Sequence, residues 1–348
     1  MIRIKLTTAN PHIPLIRQTP ESKGIFNNCQ FFVDKDIPEC DFWVVVDGMQ
    51  KKETVRCPKE NTILIAQECE FIKKYDQKFL DQFSTVITCQ KSLKHKNAIQ
   101  TQTAFQWMIG HMGSLSGVDP KDFSKHFIPY EKLKAIKKFD KTKLISVFSS
   151  GKNRSEGQQK RLNFIDALKK HFGSKLDVFG VNEIFVKDKW DGIAPYKYHI
   201  TLENASADNY WTEKIADAFL AGAYPIYYGA PNILDYFPKD SLTQIDINDP
   251  QKSIATIEKV IANDLYEKNQ AAMTEARNLA LDKHNIFAML SEICNKLEYK
   301  NKEYKKNTLK PENKKLFWVK FRSSISKALN KTPKIQSFFK NIYTFFKK

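Results

Sequence analysis

The segment Phe42–Val46 is apolar at five consecutive positions and stops at Asp47-Gly48. No other feature constrains the fold as strongly. A strand without polar alternation has to be buried on both faces, which is the habit of parallel sheets covered by helices. Thr62–Glu68 and Ser84–Gln90 repeat the run, with polar, helix-compatible stretches between them. Ile2–Leu6 adds an opening strand with Ile2, Ile4 and Leu6 on one face. Strands at this spacing imply βαβ units and an open, doubly wound sheet.

Between Lys91 and Asp140 the pattern dissolves, and it restarts at Lys143. A strand there runs into the small polar loop Ser149–Ser155, followed by the helical pattern QKRLNFIDALKKHF. LDVFG and Tyr196–Leu202 read as strands, Thr212–Ala221 as a helix, YPIYYG and SLTQIDIND as further strands, and the stretch around Ile254–Asn263 as a helix. A length of 348 residues suits two domains. The expected boundaries are residues 1–140, 141–300 and a tail at 301–348. Two Rossmann-like halves describe a GT-B type enzyme, whose ligand lies in the cleft at the carboxyl ends of the strands.

The net charge of +17 is a tail property: residues 301–348 hold 14 Lys or Arg against Glu303 and Glu312, leaving +5 for the first 300. This balance argues against a nucleic-acid groove in the body. The six cysteines form no CxxC pair and no Cys/His ligand set, so reduced, buried thiols are expected rather than a disulfide framework or a zinc site. No apolar run approaches the roughly 20 residues that span a bilayer. The start of the chain lacks a signal-peptide core, and a cytoplasmic protein is expected.

The chemistry concentrates in YKYHITLENASADNYWTEKIADAFLAGAYPIYYGAP, residues 196–231. Thr212 can cap the helix that follows, and a helix N-terminus attracts anions. Lys214 adds a full positive charge in that first turn, Tyr210 can pack on a ring or bond a phosphate oxygen, and Glu213 can accept from a ribose diol. Glu203 and Asn204 directly follow a strand, where they could orient a sugar or the loop beneath it. Each has a plainer alternative: a helix start, a solvated lysine, or an Asn that caps a turn. Arg161 alone reads as a solvated helix residue.

The stretch Glu203–Asn232, with Glu-Asn, Tyr-x-Thr-Glu-Lys and a Gly-x-x-Pro strand, resembles the signature of the α-1,3-fucosyltransferase family, and the bacterial type is the better comparison. Ser146–Gly180 is similar to that family's strand, loop, Arg-containing helix and D-x-F-G strand, so the resemblance spans Lys143–Asn248. It implies a GT-B fold binding GDP-fucose in the second half and the acceptor mainly in the first. By motif position Arg161, Lys214 and Tyr210 would face the diphosphate, Glu213 the ribose, and Asn204 the donor site near the fucose. No DxD-like pair lies near the motif, so neither a metal nor a further cofactor is expected beside the co-substrate GDP-fucose. The family further implies a Glu base from the first half; Glu68 is the best placed, with Glu70 the near alternative. SSGKNRS departs from the Ser-Asn-Cys-like turn of many relatives, so contacts there do not carry over.

The expected function is therefore inverting transfer of L-fucose to a hydroxyl of a surface glycan such as lipopolysaccharide. The competing readings are another nucleotide-sugar on the same fold, or an inactive peripheral membrane glycan-binding protein. Residues 314–348 mix Lys and Arg with Phe, Trp, Ile and Leu, which suits helices lying on an anionic membrane surface, split at Pro333. A nucleic-acid arm and a helix packed on the body are the alternatives. The expected partners are GDP-fucose, a lipid-linked glycan acceptor and the inner face of the cell membrane, with no nucleic acid. Thr101–Gly113, with Phe105, Trp107 and His111, suits either an acceptor-side surface or buried hinge packing.

Overall fold

The computed structural model describes residues 1–111, 127–151, 155–180, 182–297 and 303–312. Its first half is a sheet of β1 (Ile2–Thr8), β2 (Ile25–Phe26), β3 (Cys29–Val33), β4 (Phe42–Val46), β6 (Thr62–Ala66), β7 (Thr85–Thr88) and β8 (Ala98–Gln100). The order is β2-β3-β1-β4-β6-β7-β8, and every pairing is parallel except β2 with β3. The apolar runs behave as their composition dictates: all residues of β4 and β6 are buried, in register Val44↔Ile63 and Val45↔Leu64. β1 lies between β3 and β4, so the strand order reverses there, and a crevice opens at the carboxyl ends, where α/β folds bind ligands.

The second half is a sheet of β9 (Lys143–Ser149), β10 (Leu176–Gly180), β11 (Tyr196–Leu202), β12 (Tyr224–Tyr228) and β13 (Thr243–Gln244), in the order β10-β9-β11-β12-β13 and parallel throughout. The helices are α1 (Gln77–Leu80), α2 (Tyr130–Ala135), α3 (Glu156–Phe172), α4 (Lys189–Ile193), α5 (Glu213–Leu220), α6 (Pro250–Ala262), α7 (Leu265–Lys268), α8 (Gln270–Asp282) and α9 (Ile286–Lys296). Leu168 and Ile165 of α3 pack into one core with Val147 and Ile200 of the sheet. This α/β architecture of two Rossmann-like sheets is the one expected.

Two features depart from the expected layout. Residues 286–296 do not stay with the second half. Phe287 meets Phe31 edge-on at 4.9 Å, and Ser291 Oγ donates to Phe26 O at 3.1 Å, so α9 rests on the first sheet. The tail, expected to be helical from residue 301, instead contributes β14 (Lys305–Leu309), antiparallel to β5 (Glu53–Cys57). The reason is apolar: Leu309 joins Val55, Cys57, Trp43 and Leu64 in a cluster on the outer face of the first sheet. Residues 313–348, which carry the rest of the amphipathic pattern, lie outside the described residues.

All six cysteines are buried and unbridged. Among the described residues no helix is long and apolar enough to cross a membrane.

Candidate active site

β11 ends at Leu202 and delivers Glu203 and Asn204 at the carboxyl edge of the second sheet. Glu203 is fully buried, and its carboxylate organises the turn above it. It accepts from the Thr212 amide at 2.8 Å and from the Thr212 hydroxyl, and it meets Lys214 Nζ at 3.0 Å. The Thr212 hydroxyl in turn accepts from Lys214 N, capping α5 as expected, and from Lys214 Nζ at 2.8 Å. Of the two roles open to Glu203, the structure selects the support of the loop.

Arg161 is not a solvated helix residue. It is 3% exposed and reaches from α3 to donate to Asn204 Oδ1 and to Ser150 Oγ, each at 2.6 Å. Its Nε is buried and has no hydrogen-bond partner, and among the described residues no carboxylate lies within ion-pair distance of it. Burial lowers its pKa, partly offset by the fields of Glu203 and Glu213. The helix approaches this closely because residue 157 is glycine: a Cβ there would stand 2.2 Å from the Asn204 carbonyl oxygen. Residues 152–154 of the loop lie outside the described residues.

Glu213 sits between two cations, 3.5 Å from Lys214 Nζ and 3.5 Å from Lys189 Nζ. Burial alone would raise its pKa, but Lys214, Lys189 and the Thr212 hydroxyl overcome that and bring it to about 2. Lys214 shows the converse: burial opposes its charge, Glu203 and Glu213 support it, and its pKa rises. Arg161, Asn204, Glu213 and Lys214 thus converge at one sheet edge. The arrangement holds fixed positive charge and free donors, the chemistry that fits an anion such as a diphosphate.

Tyr210 joins the group from another direction. It is buried, and its hydroxyl donates to Glu68 Oε2 at 2.9 Å, across the cleft from the first half. Glu68 follows β6 by two residues, in the loop pinned by the Gln90 side chain, which donates to Glu68 O and Lys73 O at 2.8 Å each. Burial raises the Glu68 pKa, while the Tyr210 hydrogen bond works against that rise. Glu70 Oε2 is buried without a partner. Beside this loop, Thr8, Asn10, Asp47, Gln67 and Gln106 line the crevice at the reversal of strand order. A second cross-cleft contact, Lys91 to Asp208 at 2.6 Å, flanks the Tyr210 pair.

Two site-facing residues escaped the sequence reading. Lys189 opens α4 and bridges Glu213 to Asp217 at 3.4 Å, and one more lysine in a lysine-rich chain carries no signal. Asp217 did have a signal: it lies four residues after Glu213, among the apolar positions of α5. Its Oδ1 accepts from the Met108 amide at 3.0 Å and the Ile109 amide at 3.2 Å, fastening a segment from the first half to α5. Arg17 holds the same segment from the opposite side through the carbonyls of Trp107 and Ile109. Within Thr101–Gly113, Trp107 and His111 are buried, so hinge packing describes them rather than an open acceptor surface; residues 112–113 lie outside the described residues.

Residues 138–311, half of the chain, match the C-terminal domain of glycosyltransferase family 10 (fucosyltransferase). Alpha-(1,3)-fucosyltransferase B of Drosophila melanogaster is 30% identical over 112 residues, 30% of this chain and 25% of that protein. GDP-fucose protein O-fucosyltransferase 3 of Homo sapiens is 36% identical over 78 residues, 22% of this chain and 16% of that protein. The matched stretches thus span a quarter or less of these relatives. A crystal structure of an alpha1,3-fucosyltransferase with GDP aligns over 82% of this chain and 92% of that one, at 14% identity and a TM-score of 0.46.

Proposed function

Because the chain belongs to glycosyltransferase family 10, the fucosyltransferases, we propose that it transfers L-fucose from GDP-fucose to a glycan hydroxyl with inversion at the anomeric carbon. One observation carries the reading: Arg161 is a buried guanidinium without a carboxylate partner among the described residues, at the edge where Lys214 and the start of α5 also present positive charge. A buried cation in that state calls for an anion, and the two phosphates of a nucleotide-sugar supply one.

In this reading Arg161, Lys214 and the α5 amides hold the diphosphate, Glu213 the ribose and Asn204 the fucose side. The acceptor oxygen attacks the anomeric carbon, the bond from that carbon to the β-phosphate oxygen breaks, and the electron pair leaves with GDP. The acceptor proton passes to Glu68. Charge developing on the β-phosphate meets preorganised donors, an effect worth roughly 3–4 kcal/mol per well-placed donor. That assignment leaves no step for a divalent ion, so turnover is expected to persist in EDTA. The acceptor would approach from the first half, where Thr8, Asn10, Asp47, Gln67 and Gln106 bring together polar groups that suit sugar hydroxyls.

The proposed acceptor is a lipid-linked surface glycan of the lipopolysaccharide kind, met at the inner face of the cell membrane through residues 313–348. Their basic and aromatic composition supports this. So does their point of departure: Glu312 accepts from the Asp76 amide at 2.7 Å, beside the acceptor half. The human relative's name instead specifies a protein acceptor, and glycan and protein arrays charged with GDP-fucose separate the two.

Thermal-shift measurements against GDP, UDP, CMP and their sugars test the donor. GDP is expected to raise the melting temperature most; a larger shift with UDP removes GDP-fucose as donor. Co-sedimentation with vesicles with and without anionic lipid tests the tail, and binding that survives truncation after Glu312 removes the anchor.

A further inference from the structure

The resemblance assigns Tyr210 to the phosphates, but the geometry points to another task. We infer that Tyr210 is a positioning residue for the base: it reaches across the cleft, holds Glu68 by one carboxylate oxygen and leaves the other to receive the acceptor proton. This rests on the proposed role of Glu68.

A tyrosine hydroxyl has one proton to give, and here it goes to Glu68 Oε2 at 2.9 Å. Of the two Glu68 carboxylate oxygens only Oε2 is hydrogen-bonded among the described residues, which leaves Oε1 as the basic atom. The ring has little freedom to turn elsewhere. It is 1% exposed, packs with Cys69, Cys89 and Ala205, and meets Phe105 edge-on at 6.4 Å. The residue before it, Asn209, adopts φ 62° and is tied from two sides: its amide donates to Asn232 Oδ1 at 2.8 Å, and its own Oδ1 accepts from the Tyr236 hydroxyl at 2.6 Å. Rotating Tyr210 toward a phosphate would strip a half-buried carboxylate of its donor, which is costly.

The arrangement also ties the base to closure of the cleft, because Glu68 and Tyr210 belong to different sheets. With the halves apart, Glu68 loses its partner; with them together, it is oriented and desolvated. Tyr210 itself stays protonated, since burial and the fields of Glu68 and Glu203 push its pKa far up. The other groups acting on Glu68 are Glu213 and Lys214 from the second half, Asp47 after β4, and Tyr75, Cys69 and Cys89 around its own loop. Of these, Asp47 and Glu213 raise its pKa and Lys214 lowers it, whereas among the described residues Tyr210 alone is bonded to the carboxylate.

The test is Tyr210→Phe in the full chain, which keeps the ring and its packing and removes only the hydroxyl. Three quantities are read. One is the titration of the Glu68 carboxyl carbon by NMR in carboxyl-labelled protein, its signal identified by absence in Glu68→Gln. The others are GDP affinity by calorimetry, and GDP release from GDP-fucose with water as acceptor. Removing a donor to the ionised form raises the pKa, so the Glu68 titration is expected to move to higher pH. GDP affinity should stay within about twofold, while turnover falls roughly tenfold or more. An unmoved Glu68 titration overturns the inference, as does a roughly tenfold loss of GDP affinity, the signature of a phosphate contact. Full turnover in Glu68→Gln overturns it too, by removing the base. Failure of the donor reading looks different: the wild-type chain does not bind GDP, and the NMR titration still decides where the Tyr210 proton goes.

Discussion

A guanidinium buried among neutral partners is an incomplete arrangement, and Arg161 is the residue whose removal reports most directly on what completes it. Arg161→Ala is expected to weaken GDP binding by roughly 10- to 100-fold, the worth of about 1.5–3 kcal/mol for hydrogen bonds to a charged group; calorimetry reads it, and an unchanged affinity removes Arg161 from the site. Gly157 offers a test in which two effects oppose. Helix propensity favours alanine there by about 1 kcal/mol, but the Asn204 carbonyl leaves no room for a Cβ. Overpacking costs about 1–3 kcal/mol, so Gly157→Ala is expected to lower the urea midpoint rather than raise it. Part of this arrangement was legible beforehand, through the resemblance rather than through the residues alone: it grouped Arg161, Asn204, Glu213 and Lys214, and the structure brings those side chains together. The partner of Tyr210 was not legible, because it lies 142 positions away on another sheet, and no local pattern encodes such a pairing.

At the scale of one element, α5 does two things at once. Its first turn carries Glu213 and Lys214, and one turn later Asp217 fastens the segment at Met108 and Ile109. Burial raises the Asp217 pKa to about 7, against the pull of Lys189. An unfolded aspartate titrates near 4, so between about pH 4 and pH 7 the folded chain binds more protons than the unfolded one. The stability that Asp217 contributes is then fully present below pH 4 and declines as pH rises through 7. Asp217→Asn lacks this titration. Thermal melts at pH 5 and pH 8 should therefore show the wild type losing ground to the variant at the higher pH; a constant difference would contradict the assignment. Strands of unbroken apolar residues, β4 and β6, were plain in the sequence because burial on both faces leaves a mark. β3, β5 and β8 were not, since a strand that is short or half-exposed carries only part of the pattern.

Across the whole molecule the chain does not divide at one linker. α9 returns to the first sheet, and β14 pairs with β5, so the first half is built from both ends of the described chain. Truncation after Lys302 is expected to melt at least roughly 4 °C below truncation after Glu312, because burial of Leu309 and the β5 ladder go with it; equal melting temperatures would mean that β14 adds no stability. The same pairing sets an order on synthesis. Cys57 leaves the ribosome 250 residues ahead of Asn307, whose side-chain amide donates to its carbonyl. At about 5–20 residues per second that is a wait of roughly 10–50 s. Throughout it the open edge of β5 faces the cell with its proper companion not yet made, exposed to any stray strand that would zip against it. The part of the protein translated first is thus the last to be finished.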